Sequence, residues 1–181
     1  MATNATIFKI DLQIADLDRH YYHDHSLTIA RHPSETDERM MVRVLAFVCH
    51  AHERLTFAKG LSTEDEPDLW LRTLSDEIEL WIEVGQPDEK ILRRACGRSK
   101  QVCVYCYGGK VADIWWQHHQ RKLQPLDKLM VCNIAETASQ ALAEMVKRTM
   151  QLQCTLQDGE IMITDGENTV SVILQVLKPA A

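Results

Sequence analysis

The residues best suited to chemistry lie in two acidic stretches, Asp65-Glu66-Pro67-Asp68 and Glu77-Ile78-Glu79-Leu80-Trp81-Ile82-Glu83-Val84-Gly85. The second alternates with a period of two. Ile78, Leu80, Ile82 and Val84 share one face of a strand, and Glu77, Glu79, Trp81 and Glu83 share the other. Carboxylates gathered near one strand end repel and shift one another's pKa unless a cation or a basic side chain stands among them. An oxygen-only set suits Mg²⁺, which takes one or two carboxylates and keeps waters for a phosphate substrate. The competing reading is a solvated edge strand carrying acids on its wet face.

The elements around these acids set their surroundings. The strand closes at Gly85, and Gln86-Pro87-Asp88-Glu89 opens a helix with Pro in its first turn. On that helix Lys90, Arg94 and Arg98 recur every four residues with Arg93 beside them, opposite Ile91, Leu92, Ala95 and Cys96. The stripe faces either a phosphate or solvent. Upstream, Ser34 is placed to cap a long apolar helix running to about Leu55, on which Glu38, Val42, Leu45 and Cys49 share a face. Glu38 heads that apolar stripe, where a carboxylate needs a partner; Arg39 and Arg43 are the nearest.

The remaining segments frame the sheet. Thr6 to Ile14 and Tyr21 to Ala30 alternate as a hairpin, with His23 and His25 on one face but no third ligand nearby. Leu55 to Ala58 is a short strand, and Asp68 to Leu71 is either a helical turn or a strand start. Gln101 to Tyr107 is a buried strand, so the Cys103-x-x-Cys106 spacing sends the sulfurs to opposite faces and is not a redox pair. Lys110 to Lys122 is a helix carrying Trp115, Trp116 and His118-His119; Leu129 to Cys132 is a strand. Ala135 to Met150 is an amphipathic helix. A meander follows, from Leu152 to Leu156, Ile161 to Thr164 and Val170 to Leu177, turning at Asp158-Gly159 and Asp165-Gly166. The sum is an α/β (α+β) chain: a mixed sheet flanked by helices, with an added antiparallel β meander, in a single domain over 1–181.

Composition narrows the function classes. Of 181 residues 45% are hydrophobic and 25% charged, ordinary globular usage. No apolar run is long enough to span a bilayer, and no secretory leader pattern opens the chain, so a cytoplasmic location without membrane association is expected. The six cysteines, mostly inside apolar segments, fit reduced buried thiols. A net charge of −6 repels nucleic acid on average, so DNA or RNA binding would rest on a local basic patch. There is no Gly-x-Ser-x-Gly turn and no phosphate-cradling glycine loop. Nothing in the chain specifies a protein partner.

The order helix, strand, acidic segment, acid-bearing strand, helix, strand resembles the PD-(D/E)XK nuclease core, with Pro67-Asp68 and Glu83 as its acids. At closer range Arg31-His32-Pro33-Ser34-Glu35, Glu38-Arg39-Met40-Met41, Asp65-Glu66-Pro67, Trp81-Ile82-Glu83-Val84-Gly85 and Asp113-Ile114-Trp115-Trp116-Gln117 resemble the YaeQ family. That family's fold is regarded as a variant of the nuclease core. The resemblance implies a restriction-endonuclease-like sheet and a Mg²⁺ site built from Asp68 and Glu83, with Glu38 in the place of an added helix ligand. Asp65 with Glu79 is the other pair of acids. The motif lysine would fall at Gly85, which leaves Arg93 or Arg94 on the following helix to reach back. Arginine stays protonated and cannot act as a base. Two functions follow as expectations. One is a metal-dependent nuclease cleaving phosphodiesters of DNA or RNA. The other is a non-catalytic binding or regulatory module on a degraded nuclease fold.

Overall fold

The computed structural model describes residues 4–59 and 65–181. Within them eleven strands and four helices form two mixed sheets and two compact units. Each unit is discontinuous in sequence, so neither is bounded by a linker that a scan of the chain could find.

The first unit comprises the described parts of Met1–Cys49 and Thr137–Leu174. Its hairpin, β1 (Thr6–Asp16) and β2 (Tyr21–Arg31), follows the alternation expected, with His20 at φ 55° in the turn. Phe8, Ile10, Leu12 and Ile14 point inward and are buried. The meander, β8 (Thr149–Gln157), β9 (Glu160–Thr164) and β10 (Thr169–Ile173), is not appended to the acid-bearing sheet as expected. It extends the hairpin, because β8 lies parallel to β1, giving the order β10-β9-β8-β1-β2. The expected strand over Val170 to Leu177 divides in two: β10 closes this sheet, and β11 (Gln175–Lys178) pairs with a strand of the other.

Helix limits differ from the sequence reading for local reasons. Helix α1 spans Asp37–Cys49, with Leu55 already in a strand. Its cap is Thr36 rather than Ser34: Arg39 N donates to Thr36 Oγ1 at 3.1 Å, whereas Ser34 N turns to His32 Nδ1. Met40 to Val48 are buried all round the helix, so it is a core helix and not a one-sided amphipath. Helix α4 covers Glu136–Glu144, well short of the Met150 expected. Three-residue bonds from Met145 N to Leu142 O and Val146 N to Ala143 O close it. The chain then re-enters a period of two, in which Met150, Leu152, Cys154 and Leu156 are buried.

The second unit comprises the described parts of His50–Glu136 and Gln175–Ala181. Its sheet, in the order β11-β7-β6-β5-β4-β3, joins β3 (Leu55–Phe57), β4 (Leu69–Arg72), β5 (Ile78–Val84), β6 (Ser99–Cys106), β7 (Leu129–Asn133) and β11. Strands β5, β6 and β7 are mutually parallel, and the outer pairings are antiparallel. Helices α2 (Glu89–Arg98) and α3 (Lys110–Leu123) follow β5 and β6. Their apolar residues Leu92, Ala95, Ala112, Trp115 and Leu123 form one core with Trp70, Trp81, Val102 and Val104 of the sheet. Pro87 stands just before the Asp88 cap of α2, not inside its first turn. Of Asp68 to Leu71, Leu69 onward is strand: β4 pairs antiparallel with β5, and Asp68 is the bend just before it.

Candidate functional site

Strand β5 is not a wet edge. It lies between β4 and β6, and Trp81, on the face that also carries Glu79 and Glu83, is 1% exposed within the core shared with α2 and α3. On that face the Glu77 and Glu79 side chains stay exposed, at 65% and 43%, while Glu83 is half-buried beside the helix-covered core. A carboxylate there needs hydrogen bonds to remain ionised.

The register of β4 on β5 puts Asp68 opposite Glu83 at one end of this face. Asp68 precedes Leu69, which pairs with Ile82, and it is buried at 1% exposure. Its backbone N donates to Ile82 O at 3.0 Å, and its Oδ2 accepts from Val84 N at 2.8 Å. Asp68 thus grips β5 on either side of Glu83. Half-buried Glu83 accepts from the Trp81 indole Nε1 at 2.9 Å through its Oε1. Trp81 is in turn fixed by an edge-on Trp70 ring at 6.1 Å and by the Arg98 guanidinium 5.1 Å above it. The period of two had already put Trp81 and Glu83 on one face; the hydrogen bond between them is what that spacing permits.

The other acids have different company. Glu79 lies at the opposite end of β5, four residues from Glu83 or about 13 Å along the strand. It and Glu77 pair with Lys100, at 3.4 and 3.7 Å. Asp65 faces Arg94 at 3.5 Å, and its carbonyl accepts from Arg98 at 2.9 Å. Asp65 and Glu79, the other pair of acids, thus each face a cation, Arg94 on α2 and Lys100 on β6 respectively. Glu38, in the first unit, accepts from Ser139 Oγ of α4 at 3.1 Å. Its neighbours Arg39 and Arg43 bind Glu35 instead, a buried carboxylate the sequence reading passed over.

The two arginines proposed to reach back are engaged elsewhere. Arg93 donates to Glu89 and to the Lys122 carbonyl, the latter at 3.3 Å. That Arg93 hydrogen bond holds the Glu89 carboxyl below the usual carboxylate range, with Lys122 helping. Arg94 has Asp65. The motif-lysine position, Gly85, sits at φ 100° with its N donating to Tyr105 O at 2.9 Å. An L residue there would be strained although nothing lies within 4 Å of a Cβ.

Neither the cysteines nor the histidines form a second centre. Burial pushes the Cys103 and Cys106 thiols up to about 12, far from redox-active values. His25 Nε2 lies 2.7 Å from the Tyr21 hydroxyl. Among the described residues no group of three or more His, Cys, Asp or Glu side chains is arranged to hold a metal ion. Asp68 and Glu83 remain as an oxygen-only pair of carboxylates. That donor set fits a hydrated Mg²⁺, which needs only one or two protein carboxylates. No helix of the described residues is long and apolar enough to cross a membrane.

Known proteins match the chain along nearly its whole length. The YaeQ protein family matches residues 1–174. The uncharacterized protein YaeQ of Salmonella typhi is 47% identical over 174 residues, 96% of each chain. Its counterpart in Escherichia coli strain K12 is 45% identical over the same coverage. The crystal structure of YaeQ from Xanthomonas axonopodis pv. citri superposes with a TM-score of 0.94 at 43% identity, covering 98% of this chain and 100% of that one. The YaeQ structure from Pseudomonas syringae gives 0.93 at 35% identity, covering 97% of each. With both sequence and fold matched end to end, the chain belongs to the YaeQ family.

Proposed function

We propose that the second unit is a variant PD-(D/E)XK, restriction-endonuclease-like core, and that Asp68 and Glu83 hold a Mg²⁺ ion for cleavage of a nucleic-acid phosphodiester. The observation that carries this reading is the grip of Asp68 on β5 at residues 82 and 84, the two neighbours of Glu83. A bound divalent ion supplies an acidified water and neutralises charge developing on the phosphate. The protein's part is orientation. The Val84 N–H fixes Asp68, and the Trp81 indole fixes Glu83. Arg93 and Arg94, one turn into α2, are the arginines that would steady a phosphate, each by exchanging its present carboxylate partner for it. Glu38 is not needed, since its carboxylate serves Ser139.

A second reading is favoured by one specific observation. Both carboxylates already accept hydrogen bonds from this chain, and Gly85 stands where the motif lysine would be. On that reading the acids are a structural polar network in a non-catalytic binding or regulatory module. The two separate in one assay. Short single- and double-stranded DNA and RNA are incubated with the protein and Mg²⁺ or Mn²⁺, alongside Glu83→Gln. Metal-dependent cleavage lost in the variant supports the nuclease; no cleavage of any substrate with either metal refutes it.

A further inference from the structure

The exposed residues of α2 are Lys90, Arg93, Arg94, Gly97 and Arg98, so apart from one glycine each of them is a cation. The last turn of α3 extends this band with Arg121 and Lys122, because Arg93 donates to the Lys122 carbonyl at 3.3 Å. Charge along the chain is segregated. Residues 88–124 hold eight lysines and arginines against three acids, whereas the rest of the chain holds twelve against twenty-three. On a chain of net charge −6, the band is where a polyanion is drawn in rather than repelled.

The carboxylates that face the band hold it loosely. Glu89 serves both Arg93 and Lys122, the latter at 3.5 Å, and Asp65 serves Arg94 at 3.5 Å. Arg93, Arg94 and Lys122 keep half or more of their side-chain surface exposed. Exposed pairs of this kind contribute little and give way to a phosphate. Asp88 is occupied in capping α2 through Lys90 N at 2.9 Å. Gly97 is an independent sign. It stands inside the helix, where glycine is a poor choice. Its φ is not left-handed, and nothing lies within 4 Å of a Cβ placed there. Neither backbone conformation nor packing within the chain calls for a glycine. The missing side chain instead leaves the band low beside Arg93, Arg94 and Arg98, where a partner's backbone can approach the helix closely.

From this charge and this shape, we propose that the band docks the sugar–phosphate backbone of duplex DNA without reading its sequence. Lys90, Arg94 and Arg98 follow one another at about 6 Å along α2. Single strands are held by stacking on exposed aromatic rings, and α2 exposes none. Nor does its exposed face carry a hydroxyl or amide to meet the 2′-hydroxyls of RNA. Arg98 lies 5.1 Å over the Trp81 ring, and Trp81 holds Glu83, so the band borders the face of β5 that carries that acid. A duplex docked there is the substrate of the nuclease proposed above, and in that respect the inference rests on that reading.

The test is fluorescence anisotropy of a short labelled DNA duplex titrated with the full chain in EDTA, over a series of salt concentrations. The duplex is expected to bind whatever its sequence, with log affinity falling linearly against log salt. Lys90→Gln removes a side chain with no ion-pair partner among the described residues, and it should shallow that slope by about 0.9, the share of one phosphate. Gly97→Leu keeps the charge and favours the helix; it should weaken binding at every salt concentration with no fall in thermal midpoint. Lys9→Gln, an equal loss of charge at an exposed position in the first unit, should leave affinity and slope unchanged. Binding in EDTA without cleavage once Mg²⁺ or Mn²⁺ is added would refute the nuclease and leave the docking surface standing. The docking surface is overturned by no binding of the duplex at low salt, by an equal loss in Lys9→Gln, by wild-type affinity in Gly97→Leu, or by tighter binding of an RNA duplex or a single strand.

Discussion

Removal of the Glu35 carboxylate should be among the most damaging single changes in the first unit. Glu35 carries a side chain only 1% exposed, and Arg43 beside it is 7% exposed. Arg39 donates to Glu35 at 2.7 Å, Arg43 Nε donates at 2.9 Å, and the Arg43 Nη2 both bonds Glu35 and donates to Ala30 O at 3.0 Å. Glu35→Ala takes away the carboxylate that Arg43 grips through both Nε and Nη2, and leaves its guanidinium, which cannot shed its proton, buried without that counter-charge. Stranding one member of a buried pair costs about 3–5 kcal/mol. Against a total stability of about 5–15 kcal/mol, and at about 2–4 °C per kcal/mol for a chain of this length, the thermal midpoint should fall by roughly 6–20 °C. Thermal unfolding followed by far-UV circular dichroism reads this directly. The double variant Glu35→Ala with Arg43→Met, which removes both charges, should recover part of the loss. A fall below about 1 kcal/mol for Glu35→Ala, the range of exposed pairs, would show that the cluster is solvated and refute the argument.

Other outcomes follow from the same reasoning. Thr36→Ala should cost about 1 kcal/mol of stability and Ser34→Ala almost nothing, since Thr36 caps α1; denaturant titration checks both. Gly85→Ala should cost about 1 kcal/mol through its positive φ, despite the open space around it; a stabilised variant would mean the backbone there relaxes freely. Burial raises Cys103, Cys106 and Cys154 to about 12 and Cys132 to about 11. The folded state therefore holds protons that the unfolded thiols release near pH 9, so stability should decline as pH climbs from about 9 towards 12. The same thiols should resist a disulfide reagent at pH 8 until the protein is unfolded, and rapid native-state labelling of all four would contradict the burial.

What could be read from the sequence was mostly what depends on neighbours in the chain. The alternations of β1, β5 and β8 and the turn signals at Asp158-Gly159 and Asp165-Gly166 are local, and the structure bears them out. Helix ends were less legible. Thr36 and Ser34 are chemically alike as caps, and only the bond from Arg39 N distinguishes them. Residues 145–150 carry an apolar spacing compatible with either period, and pairing of β8 with β1 decides it. Long-range choices left no local trace. Nothing near Val170 to Leu177 says that the chain changes sheet after β10, because β10 pairs with its neighbour β9 while β11 pairs with β7, some forty residues back in sequence. The partner of Glu38 is Ser139, 101 residues on, whereas the arginines beside it in sequence turn to Glu35. At the candidate site, proximity in sequence suggested Glu79 as readily as Glu83. The strand rise separates them, and only the antiparallel pairing of β4 brings Asp68 to Glu83 rather than to Glu79.

Mn²⁺ titration of the wild type and Glu83→Gln decides whether Asp68 and Glu83 bind one divalent cation. Glutamine keeps an acceptor for the Trp81 indole, so the variant should fold with a thermal midpoint close to that of the wild type. A single Mn²⁺ site is expected, displaced by Mg²⁺ and weakened at least about tenfold in Glu83→Gln, a loss already typical of groups one shell beyond the metal. Equal Mn²⁺ affinity in the two proteins, or none in either, would contradict it.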